Sequence, residues 1–105
     1  MERYVRERAY PFPGEVIRAV LRCEEDLLSD VLDRFGMETQ LRDNGDGTFD
    51  ATVFTGAAGL KFWAIQYVTA CQILEPNWLR QEICDTLMRG WKDYQENGGQ
   101  FHGIQ

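Results

Sequence analysis

Five residues in the middle of the chain, Asp43-Asn44-Gly45-Asp46-Gly47, constrain the fold more than any other stretch. Asn-Gly and Asp-Gly supply the positive φ angles of a tight hairpin, because glycine lacks the Cβ that forbids them. The flanking segments alternate with the period of a strand. Before the turn, Met37, Thr39 and Leu41 oppose Glu38, Gln40 and Arg42; after it, Phe49, Ala51 and Val53 oppose Thr48, Asp50, Thr52 and Phe54. An antiparallel strand pair is therefore expected. A calcium loop would use the same acidic and glycine residues, but the stretch lacks the full ligand set and closing Glu of an EF-hand, and no helix pair flanks it.

Val16 to Cys23 alternates in the same way, with Ile17, Ala19, Leu21 and Cys23 on one face and Val16, Arg18, Val20 and Arg22 on the other. Asp26 to Phe35 carries apolar residues at 28, 31, 32 and 35, a helical stripe, and Gly36 stands where a C-cap belongs. A second helix is expected over Leu60 to Thr69, with Leu60, Trp63, Ala64, Tyr67 and Val68 as its core stripe. A short strand over Cys71 to Glu75 follows. Pro76-Asn77 then opens a third helix, with Asn77 as a good N-cap. Its buried face is expected to carry Leu79, Ile83, Leu87 and Trp91, with Met88 and Tyr94 beside it. With right-handed crossovers, this order implies an α+β fold: a ferredoxin-like βαββαβ sandwich with an additional C-terminal helix.

Residues 1–15 are expected to form an interdomain arm or linker, since Pro11, Pro13 and Gly14 interrupt any helix there. Residues 16–96 form the domain, and residues 97–105, glycine-rich and polar, a flexible tail. A length of 105 residues suits one domain. No stretch approaches the roughly 20 apolar residues of a membrane span, so no membrane partner is expected. The first residues are charged and lack the apolar region of a secretory signal. Three widely spaced cysteines in apolar patterns imply reduced core thiols and a cytoplasmic location. A net charge of −6 argues against this chain alone gripping a nucleic-acid backbone.

No catalytic constellation is visible. His102 is the only histidine and lies in the glycine-rich end, a poor platform for a general base. No nucleophile elbow or P-loop occurs, and Glu24-Glu25-Asp26 suits a helix start. No Cys and His sit at zinc spacing, so neither a metal nor a cofactor is expected. The open sheet face is more informative. Arg18, Arg22 and Arg42 project from it, flanked by Phe54, and could hold a phosphate, a carboxylate or a stacked base. The alternative is that Glu38 and Asp50 neutralise them as cross-strand pairs. Aromatic residues are also in surplus in the second half, and Phe62, Trp63 and Trp78 are the expected partner interface.

The run Phe62-Trp63-Ala64-Ile65-Gln66-Tyr67, then Cys71-Gln72-Ile73-Leu74-Glu75-Pro76 and Leu79-Arg80-Gln81-Glu82-Ile83, resembles the C-terminal extension of WYL-domain bacterial transcriptional regulators. Upstream, Tyr4-x5-Tyr10-x-Phe12-x-Gly14-Glu15 is similar to the segment joining the WYL barrel to that extension. The resemblance spans about Tyr4 to Tyr94 and lies in order and spacing, since the motifs are built from core residues. It implies a parent with an upstream helix-turn-helix that binds the DNA, a WYL barrel, and this module. Barrel and extension would together sense a nucleic-acid or small-molecule effector, and the extension would help form a homodimer. The chain departs from the whole pattern in having neither the helix-turn-helix nor the Trp-Tyr-Leu motif, so a fragment of the parent is expected. The alternative is a stand-alone ferredoxin-like small-molecule sensor. An acylphosphatase-like hydrolase would need a phosphate-cradling loop after the first strand, where Glu24-Glu25-Asp26 would repel phosphate.

Overall fold

The computed structural model describes residues 14–102, with side chains through residue 96. In chain order the elements are β1 (Val16–Glu24), a 3-10 turn (Glu25–Leu27), α1 (Leu28–Phe35), β2 (Gln40–Asp43), β3 (Thr48–Gly56), α2 (Ala57–Gln66), β4 (Cys71–Glu75) and α3 (Asn77–His102). The expected arm over 1–15 lies outside the described residues up to residue 13.

The hairpin forms by the chemistry its residues carry. Gly45 and Gly47 take φ of +79° and +90°. The Asp43 carboxylate accepts from the Gly45 N–H at 2.9 Å, and Asp46 accepts from both the N–H and the hydroxyl of Thr48 at 3.0 and 2.6 Å. These side-chain turns hold the loop while β2 and β3 pair from Asp43 opposite Phe49 to Gln40 opposite Thr52. β3 pairs in turn with the whole of β1, and β1 with β4, so the sheet runs β2-β3-β1-β4 and is antiparallel throughout.

Strand alternation then separates the faces. Ala19, Leu21 and Cys23, with Phe49, Ala51 and Val53 and with Cys71 and Ile73, are buried beneath the helices. The helices answer with Val31 from α1, Leu60, Trp63 and Ala64 from α2, and Leu79 and Ile83 from α3.

Four expectations change. β2 starts at Gln40 rather than Met37, because a turn occupies the residues after α1: the Thr39 N–H and hydroxyl both donate to the Gly36 carbonyl, at 3.2 and 2.7 Å. Met37 and Glu38 are consequently exposed. Pro76, not Asn77, is the N-cap of α3, since its carbonyl accepts from Arg80 N–H at 3.1 Å. The face of α3 expected to be buried is buried only at Leu79 and Ile83; Leu87, Met88, Trp91 and Tyr94 are exposed. The cause is length. A helix of 26 residues outruns the five-residue strand it packs beside. Its backbone stays helical to His102, past the expected tail boundary at 97, since Gly98 and Gly99 lower helix propensity by about 1 kcal/mol each without forbidding it. Residues 103–105 lie outside the described residues. Among the described residues, no helix is long and apolar enough to cross a membrane.

Candidate functional site

The sheet face away from the helices is built in rows set by strand register. Arg42, Asp50, Arg22 and Gln72 lie side by side across all four strands. Gln40, Thr52 and Val20 form the next row, and Phe54 and Arg18 the one after. At the β4 end the register shifts: Leu21 faces Ile73, but Val20 faces Glu75. This β-bulge inserts Leu74, so Leu74 and Glu75 both reach the open face.

All three expected arginines therefore share the face, but their roles divide. Arg22 is held by Asp50, its Nε donating to Oδ1 at 2.8 Å and its Nη2 to Oδ2 at 3.1 Å. Asn44 adds a bond to Oδ1 at 3.0 Å. The Arg22 bond, chiefly, and that of Asn44 hold the Asp50 carboxyl below its ordinary range. Arg18 meets Glu75 at 3.2 Å in an exposed pair, which is weakly held. Arg42 makes no hydrogen bond or ion pair among the described residues and lies in the field of Asp50. Cross-strand neutralisation thus operates through Asp50 and Glu75; Glu38, expected in that role, lies off the strand.

Arg18 and Arg42 line one shallow hollow of about 620 Å³, floored by Val20, Thr52 and Leu74. Asp50 and Glu75 line the same hollow, so Arg18 faces it paired with Glu75 and Arg42 faces it beside Asp50. Phe54 is exposed but stands outside this hollow, and Arg22 is committed to Asp50.

The aromatic residues expected at a partner interface also divide. Trp63 is 8% exposed and belongs to the core, with its ring edge-on to Phe35 at 5.1 Å and tilted on Tyr67 at 4.8 Å. Burial within the chain removes it from the partner surface. Trp78 is half-buried against the core, whereas Phe62 is 82% exposed. A larger apolar surface lies on α3, where Leu87, Met88, Trp91 (63% exposed) and Tyr94 (86%) follow helical spacing on one side. Its periodicity is plain in the sequence; its exposure follows only from the three-dimensional length of α3.

The Leu79-to-Ile83 segment docks that helix. Leu79 and Ile83 are buried, and Arg80 donates to the Ile73 carbonyl at 2.7 Å and to Gln72 at 3.0 Å. Glu82 pairs with Lys61 of α2 at 3.3 Å.

A family model described as the WCX domain matches residues 15–90, which span the sheet, both covering helices and the docked part of α3. Comparison with curated proteins finds no match.

Proposed function

Because the chain belongs to the family of WCX domains, the C-terminal domain of WYL-containing regulators, we propose that it is a regulatory module of a WYL-type bacterial transcriptional regulator. In this reading it senses an effector and self-associates rather than catalysing a reaction. The observation that carries it is the family match over residues 15–90. We assign the fold to the ferredoxin-like type, which the element order and the β2-β3-β1-β4 sheet support.

Effector contact falls to the hollow between Arg18 and Arg42, with Phe54 outside it as the register partner of Arg18 and Arg22 as the support that fixes Asp50. An effector there can switch the regulator only by binding one arrangement of the parent more tightly than the other.

Self-association falls to the exposed face of α3. Leu87, Trp91 and Tyr94 recur at helical spacing on that face and would form the apolar seam of an antiparallel pair of α3 helices.

Sedimentation equilibrium of the chain and a promoter-reporter assay of the regulator carrying it form the test. The expected results are a dimer lost on Trp91→Glu and an effector response lost on Arg18→Ala/Arg42→Ala. A chain monomeric at its highest soluble concentration, in a regulator whose response survives both variants, would overturn the reading.

A further inference from the structure

β1 and β4 set two of the three cysteines face to face: Cys23 is the register partner of Cys71. One residue further along, the Glu24 N–H donates to the Ala70 carbonyl at 2.9 Å. That bond makes Cys23 and Cys71 a non-hydrogen-bonded pair of the antiparallel ladder, the kind whose side chains approach most closely. At such positions the Cα atoms are about 4.5 Å apart, inside the span of roughly 4.4–6.8 Å that a disulfide bridges. Each thiol acts on the titration of the other across the ladder. The facing Cys71 thiol draws the Cys23 thiol below its ordinary pKa, while the Cys23 thiol, with burial, pushes Cys71 well above it. One sulfur of the pair is thereby favoured as the thiolate that oxidation requires.

Access comes from one side. Cys71 lines a groove of about 260 Å³ between α2, β4 and α3, and the exposed Cys84 lines the same groove. A small oxidant entering there meets Cys84 at the surface and Cys71 at the floor.

We propose that Cys23 and Cys71 form a reversible cross-strand disulfide, with a peroxide as oxidant. Peroxide oxidises one sulfur to a sulfenic acid as its O–O bond breaks and the first water leaves. The second sulfur attacks the first, the S–O bond breaks, and the displaced hydroxide departs with the remaining thiol proton as a second water. Two electrons pass from the sulfurs to the peroxide. A small dithiol reverses the reaction by thiol–disulfide exchange and is itself oxidised to a disulfide.

The test uses the full chain carrying Cys84→Ser, which removes the exposed competitor and leaves the buried pair untouched. After hydrogen peroxide treatment of the native protein, free thiols are counted in denaturant, and the peptides are mapped without reduction. The expected result is loss of both thiols, a mass lower by the two thiol hydrogens, one Cys23–Cys71 linked peptide, and full recovery with dithiothreitol. Two thiols surviving a dose that oxidises Cys84 in the wild-type chain would overturn the proposal. So would products that only gain oxygen.

Discussion

Arg22 grips Asp50 across the β1–β3 ladder with two parallel bonds, Nε to Oδ1 at 2.8 Å and Nη2 to Oδ2 at 3.1 Å. The pair occupies the middle of the open sheet face and decides which of its arginines have a fixed partner. A forked, two-bond clasp fixes orientation as well as distance, so Arg22 holds Asp50 while Arg42, on the far side of Asp50, is left without a direct partner among the described residues.

Removing the clasp has a signed consequence in pH. Asp50 is held low chiefly by Arg22, so its contribution to stability is complete above the unfolded-state value of about 3.9 and drains as pH falls through the folded value. In Arg22→Ala the Asp50 carboxyl is expected to titrate at higher pH. The stability gap between wild type and variant should be widest above about pH 4 and close at lower pH. Carbon-detected carboxylate titration and urea unfolding at several pH values check both statements.

The hairpin gives a second prediction. An added Cβ at Gly47 meets nothing nearer than Glu25 Oε2 at 3.9 Å, so the penalty for Gly47→Ala is conformational, set by φ of +90°. Forcing a left-handed backbone on an L-residue costs roughly 1–2 kcal/mol. Urea denaturation should show a loss of that size with an unchanged slope.

α3 supplies a contrast along one helix. Leu79 is 1% exposed, and Leu79→Ala is expected to cost about 2–5 kcal/mol in the range of buried leucine truncations. Leu87→Ala, at the exposed end of the stripe, should change monomer stability by less than about 1 kcal/mol. Denaturation at low protein concentration separates the two.

Arg80 closes the outer edge of β4. Cys71 and Ile73 occupy alternate, non-hydrogen-bonded positions against β1, so the Ile73 carbonyl points outward, and Arg80 caps it. Arg80→Ala should cost on the order of 1 kcal/mol, discounted for the exposed side chain. It should also speed amide hydrogen exchange along β4, the measurement that distinguishes a lost edge cap from a lost surface charge.

What the sequence disclosed follows from how local each signal is. The Asn44-to-Gly47 turn and the alternation of Val16–Cys23 and Thr48–Thr55 are written in adjacent residues, so hairpin, strands and open face were legible. Arg18, Arg22 and Arg42 were placed on one face for the same reason. Their partners were not legible, because pairing depends on register. The inserted Leu74 brings Glu75 to Arg18, while a turn after α1 takes Glu38 away. Trp63 and Trp91 show the other limit. Each lies on an apolar helical stripe, and periodicity alone cannot distinguish a stripe under a sheet from one that extends beyond it. The Cys23–Cys71 contact likewise needed the β1–β4 register.

The length of α3 also makes it a lever. Anchored at Leu79 and Ile83, it carries Tyr94 roughly 17 Å beyond the last buried contact, at 1.5 Å of rise per residue. By that geometry a tilt of about 10° at the anchor sweeps Tyr94 through about 3 Å. Any rearrangement where α3 meets β4 would thus be magnified at the far end, with Leu79, Arg80 and Ile83 as the fulcrum.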